Sequence, residues 1–116
     1  GNIMPFINVK TNREVSEEKA TIIKSELGKA ITAIPGKSEG WLMVCVEGEK
    51  NLFFRGEDAP AAMVEVSLYG NASQNALATL TSHITGILTD ALLISSDRIY
   101  VSYMSTDNWG WNGSNF

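Results

Sequence analysis

The chain has 116 residues, 44% of them hydrophobic and 19% charged, which is the balance of one globular domain rather than of a disordered chain. Its formal net charge is -4 and its lysines and arginines form no cluster, which argues against nucleic acid and anionic membrane as partners. The one cysteine, Cys45, excludes an internal disulfide framework, and no apolar run approaches the ~20 residues of a membrane span.

The chain opens on Gly1-Asn2-Ile3 ahead of Met4-Pro5. These three residues read as an expression-tag remnant before an initiator methionine, which leaves residues 5–116 as a single domain. Removal of Met4 would make Pro5 a free secondary amine at the head of the apolar run Phe6-Ile7-Asn8-Val9. Burial disfavours the charged form of such an amine, so it can serve as a general base near neutral pH. The structural alternative is plain: proline is tolerated at the first position of a strand, where no ladder N–H is needed.

Past this strand, Ser16 is a candidate helix N-cap, with Glu17 and Glu18 in the first turn where carboxylates suit the dipole. Ala20, Ile23, Leu27, Ala30, Ile31 and Ile34 then recur at three- and four-residue steps, and Pro35-Gly36 stops the helix. Trp41 to Val46 is a continuous apolar strand, in which Cys45 reads as a buried residue. The second half repeats this order. Met63 to Tyr69 is a strand ended by Gly70, Asn71 or Ser73 caps a helix with the stripe Leu77, Leu80, Ile84, Ile87, Leu88 and Ala91, and Arg98 to Tyr103 is the closing strand.

Two strand–helix–strand units predict an α+β fold: a four-stranded mixed sheet with two helices on one face, each unit a right-handed parallel crossover. Cys45, Val64, Val66, Tyr100 and Val101 then supply more apolar strand positions than one helical layer covers, so a homo-oligomer is expected to hide the other face. Residues 51–56 and 109–111 are expected to form short edge strands reaching a neighbour. The lone His83 falls on the wet edge of the second helix, and no metal-ligand spacing, Ser-His-Asp set or phosphate loop is visible.

Met4-Pro5-Phe6-Ile7, Gly36-Lys37, Asp97-Arg98-Ile99-Tyr100-Val101 and the tail from Trp109 to Phe116 together resemble the macrophage migration inhibitory factor family, in the tautomerase superfamily with an N-terminal proline. The resemblance implies a homotrimer, with three sheets round a central channel and active sites between subunits. It implies that Pro5 is the catalytic base and that Lys37 binds the substrate carboxylate. Tyr69 stands where the family usually has an isoleucine whose backbone N–H helps to bind substrate. Tyr100 matches a tyrosine contributed by the adjacent subunit, and Trp109 and Phe116 fall at the rim of the pocket. Ser102 departs from the asparagine of mammalian members, and the stretch from Met104 to Asn108 is shorter than theirs. The mammalian CxxC pair is absent, with Ala61 and Val64 in its place.

These residues suit keto–enol isomerisation of phenylpyruvate-like or dopachrome-like substrates. Pro5 is the base, and Lys37, the Tyr100 hydroxyl and backbone N–H groups hold the anion. Phe6, Tyr69, Tyr100, Trp109 and Phe116 suit a flat aryl ring, and the reaction requires no metal or organic cofactor. With Met4 still attached, the Pro5 nitrogen is an amide and the expected activity is absent. The alternative is a cytokine-like ligand of a cell-surface receptor, with the pocket incidental. No signal-peptide core is visible, so a cytoplasmic location is expected, and any secretion would be non-classical.

Overall fold

The computed structural model describes residues 4–116; the tag-remnant expectation for Gly1, Asn2 and Ile3 lies outside the described residues. The strands are β1 (Pro5–Thr11), β2 (Met43–Glu47), β3 (Ala62–Tyr69) and β4 (Ile99–Thr106), and the helices are α1 (Glu17–Ala30) and α2 (Gln74–Leu92). The sheet order is β2-β1-β3-β4. β1 runs parallel to β2 and β3 parallel to β4, and the two units join through the antiparallel β1–β3 pair. This is the mixed sheet that the repeat predicts. A small antiparallel hairpin, β5 (Gly110–Trp111) and β6 (Ser114–Asn115), ends the chain.

Local signals account for the helix boundaries. Ser16 Oγ accepts from the Lys19 N–H and Ser73 Oγ from the Ala76 N–H, each filling one of the orphan donors at a helix start. Of the two cap candidates for α2, Ser73 serves. α1 tightens into a 3-10 turn at Ile31–Ala33, and α2 stops at Leu93, which takes the left-handed conformation at φ 57°. Between the helices and the sheet lies one apolar core. Ile7, Val9, Val64, Val66 and Leu68 meet Ile23, Leu27, Leu80, Ile84 and Leu88 there, all excluded from solvent.

The opposite face of the sheet corrects one expectation. Val64 and Val66 point into the helix-side core and Val101 packs against it, so they do not belong to a bare second face. That second face alternates apolar with polar side chains in three registered rows: Met43, Phe6, Ser67 and Met104; Cys45, Asn8, Glu65 and Ser102; Glu47, Lys10, Met63 and Tyr100. Lys10 Nζ reaches Glu65 Oε1 at 3.1 Å across it. The surplus of valines comes from the central strands being lined on the helix side alone, while Cys45 is only half-buried.

Two strand boundaries also differ. Trp41 ends a 3-10 turn, Glu39–Trp41, and the strand begins at Met43. Residues 51–56 form no strand; a single bridge joins Phe54 to Glu57. Side chains hold this loop instead. Asn12 Nδ2 donates to the carbonyls of Leu52, Asp58 and Ala59, and Asn12 Oδ1 accepts from the Ala61 N–H. The Arg98 guanidinium donates to Pro60, Ala59, Glu57 and Phe54 carbonyls from the other side.

Candidate functional site

The corner where β1 begins and β3 ends gathers the unusual chemistry. After the 3-10 turn of Ile31–Ala33, Gly36 adopts φ 82°, which a residue with a Cβ rarely does, and the chain doubles back so that the Lys37 N–H donates to the Ile34 carbonyl at 3.1 Å. The turn throws the Lys37 side chain inward. It is 5% exposed, a burial lysine almost never accepts without a partner. Its Nζ donates to the Tyr69 carbonyl at 3.3 Å. Burial lowers its pKa to about 8, so the group keeps its proton at neutral pH and presents a poorly hydrated cation.

The Tyr69 backbone faces two ways. Its carbonyl takes Lys37, and its N–H donates to the Met4 carbonyl at 3.2 Å. Met4 itself is 4% exposed and Pro5 is buried, so the residue ahead of the proline fills the corner. An aromatic wall extends from the Tyr69 side chain. The Tyr69 ring lies 5.5 Å from that of Phe116, Phe116 stacks on Trp111 at 6.3 Å, and Trp111 meets Trp41 edge-on at 5.1 Å. The hairpin that carries Trp111 and Phe116 turns on Asn112-Gly113, both at positive φ, as a two-residue hairpin turn requires. The Phe116 N–H closes it onto the Trp109 carbonyl at 3.0 Å.

Pro5, Lys37, Tyr69 and Phe116 therefore come together, but the other candidates do not. Phe6 and Trp109 line a hollow on the second face of the sheet, with Met43, Ser67 and Met104. Neither faces Lys37 in this chain. Tyr100 and Ser102 sit on that same face. Tyr100 pairs in register with Met63, whereas Pro5 pairs with Leu68 and, through it, with Ser105. Five residues set Tyr100 about 16 Å along the strand direction from the Pro5 corner, and two strands across from it. Tyr100 is 60% exposed and meets the Phe54 ring edge-on at 5.1 Å. His83 is exposed on the outer side of α2, away from this corner.

Trp41 and Trp111 are the wall residues that the sequence reading passes over. Trp41 reads there as part of a strand, and Trp111 as part of a short edge strand reaching a neighbour, whereas it pairs with Ser114 of its own chain. Asn112-Gly113 between short apolar pieces is the hairpin signal that would have placed Trp111.

No helix among the described residues is long and apolar enough to cross a membrane. Comparison with known proteins agrees with the fold and extends along the whole described chain. The family model described as macrophage migration inhibitory factor matches residues 4–116. The macrophage migration inhibitory factor of Meriones unguiculatus is 33% identical over 115 residues, covering 97% of this chain and 99% of the relative. That of Mus musculus is 30% identical over the same length. Among solved structures, Leishmania major MIF2 is 31% identical with a TM-score of 0.93, covering 100% of both chains. The macrophage migration inhibitory factor-like protein of Entamoeba histolytica is 21% identical with a TM-score of 0.85 over 97% of this chain and 99% of its own, a likeness of fold. The full-length family match and these identities establish that the chain belongs to the macrophage migration inhibitory factor family.

Proposed function

We propose that the protein is a cofactor-free keto–enol tautomerase for small aromatic 2-keto acids of the phenylpyruvate type, active once Pro5 is the first residue. The observation that carries this reading is the buried Lys37 ammonium at the same strand corner as Pro5, bonded to the backbone of Tyr69, whose ring begins the aromatic wall. A cation held away from water attracts a carboxylate more strongly than one in solution. The wall of Tyr69, Phe116, Trp111 and Trp41 supplies flat apolar surface for an aryl ring.

The chemistry needs few parts. Free of Met4, the Pro5 nitrogen takes a proton from the carbon next to the substrate carbonyl. Negative charge develops on the carbonyl oxygen, and the proton held on Pro5 or one from water then completes the enol. Lys37 orients the substrate through its carboxylate, and its positive charge holds the Pro5 pKa down. The Tyr69 N–H, bonded to Met4 when that residue is present, becomes a free donor when it leaves. Tyr100 joins this site only from a second copy, since within one chain it stands at the start of β4, beside the end of β3 that is far from Pro5. The second sheet face supports assembly into a homotrimer with that face lining a channel. Its rows mix polar with apolar groups, as a wetted wall requires, and Asn8 Oδ1 is shielded there without a partner among the described residues.

The test compares protein beginning at Pro5 with protein carrying residues 1–4, using 4-hydroxyphenylpyruvate and following the enol absorbance. The form beginning at Pro5 is expected to be faster by about 10²–10⁴, the range of a positioned acid–base group. Pro5→Gly in that form is expected to remove the gain. Equal rates in the two forms would take Pro5 out of the mechanism.

A further inference from the structure

The tip of the loop before β3 is built more firmly than a surface connection requires. Phe54 and Glu57 exchange both N–H···O bonds at 3.0 Å across Arg55 and Gly56, which take φ 53° and 74°. A two-residue hairpin turn of this kind calls for positive φ at both positions. Gly56 meets that demand freely, but Arg55 holds a left-handed conformation at a cost that asparagine or glycine would lessen. The Arg98 guanidinium then grips the same loop through the carbonyls of Phe54, Glu57, Ala59 and Pro60.

The hydrophobic core gains nothing from this grip. Phe54 belongs neither to the buried core nor to the side chains packed against it. Its half-buried ring instead meets two cations and a second ring. The Arg55 and Arg98 guanidinium carbons stand 5.1 and 5.2 Å from its centre, and the Tyr100 ring meets it edge-on at 5.1 Å. On the exposed face of β4 the Tyr100 ring would otherwise turn among the χ1 rotamers, and the hydroxyl at its tip would point in several directions. An edge-on partner tied to the backbone through Arg98 favours one of them. A hydroxyl that serves a substrate on another copy gains from this, because a donor ordered beforehand loses no freedom when the substrate arrives.

We propose that Phe54 is a positioning residue: it sets the direction in which the Tyr100 hydroxyl is offered to the amine corner of a second copy. The proposal rests on the tautomerase reading, in which Tyr100 serves a neighbour's site. Phe54 itself touches no substrate and acts through the Tyr100 ring alone.

Two measurements on protein beginning at Pro5 test it. The first is the ¹⁹F spectrum of chain labelled with 3-fluorotyrosine, the Tyr100 signal being assigned by its loss in Tyr100→Phe. Phe54→Leu and Phe54→Met keep an apolar side chain without a ring. Each should move that signal towards the position of free 3-fluorotyrosine, with the melting transition retained. The second measurement is turnover of 4-hydroxyphenylpyruvate. Both ring-less variants should lose roughly two- to tenfold in kcat/KM, the worth of an edge-to-face pair, and Phe54→Tyr, which keeps the ring, should recover it. With Tyr100→Phe already in place, Phe54→Leu should cost nothing more, because the hydroxyl it orients has gone; a merely structural loop would give additive losses. An unmoved ¹⁹F signal, an undiminished kcat/KM or additive losses in the double variant would each overturn the proposal while the unsubstituted protein still turns over. No turnover by the unsubstituted protein would refute the tautomerase reading, and the proposal with it.

Discussion

Replacing Lys37 with methionine tests the burial of its charge, because methionine keeps the length and apolar stem but cannot ionise. The ordinary lysine pKa of 10.5 falls to about 8 here. That difference corresponds to ~3 kcal/mol of penalty on the charged folded state. Below pH 8 folded and unfolded chains both hold the proton, and the folded state bears the whole penalty. Between pH 8 and 10.5 the folded chain has released a proton that the unfolded chain still binds, so stability rises with pH and the penalty disappears. Lys37→Met also removes the bond to the Tyr69 carbonyl, worth ~1 kcal/mol. At pH 7 the variant is therefore expected to be the more stable by about 2 kcal/mol. The gap falls through zero between pH 8 and 10.5, and above that range the native lysine is favoured by the ~1 kcal/mol of its hydrogen bond. Urea unfolding of both proteins at matched concentration and several pH values reads this directly. Taking the difference cancels the tyrosines and the remaining lysines. A gap that does not change with pH, or a variant less stable at pH 7, would refute the reasoning. In protein beginning at Pro5 the same substitution should remove turnover of 4-hydroxyphenylpyruvate, the usual opposition of stability and activity at a strained site.

Two further outcomes follow from the scaffold. Leu93 is 72% exposed and holds a left-handed conformation at φ 57°, so Leu93→Gly is expected to stabilise the chain by about 1 kcal/mol, read as a higher thermal midpoint. Asn12→Ala would leave the carbonyls of Leu52, Asp58 and Ala59 and the N–H of Ala61 without their partner, and should cost about 2–3 kcal/mol in urea unfolding. In that variant limited proteolysis should cut within residues 48–61 before the sheet is lost.

Periodicity made the fold legible. The stripes of α1 and α2 and the apolar runs of β1 and β3 are read at their correct places because one side of each buries against the same core. What periodicity does not carry is the identity of the sheet face. In β3, Val64 and Glu65 alternate, and only the register to β1 and β4 tells which set meets the helices. Trp41 escaped for a related reason: an apolar residue before a strand looks like its first residue, and the 3-10 turn that displaces it is set by the chain path after Lys37. The candidate site was legible in part. Lys37 follows a proline–glycine stop that fixes where it emerges, whereas Phe6 and Trp109 required knowledge of which way a strand and a tail turn.

The distribution of candidate residues separates what folding requires from what chemistry requires. Ile7, Val9, Leu80 and Ile84 are wholly excluded from solvent within one chain, so the hydrophobic core is complete without a neighbour. The proposed site is not. Its cation, its aromatic wall and its amine lie at one corner, while the exposed Tyr100 hydroxyl stands about 16 Å along the strands. A core built between helices and sheet leaves the second sheet face free to be selected for contact and for wetting, and Lys10, Glu65 and Ser102 on that face are the mark of such freedom. On this reading association serves catalysis more than stability, because it brings the far end of one sheet to the amine corner of another.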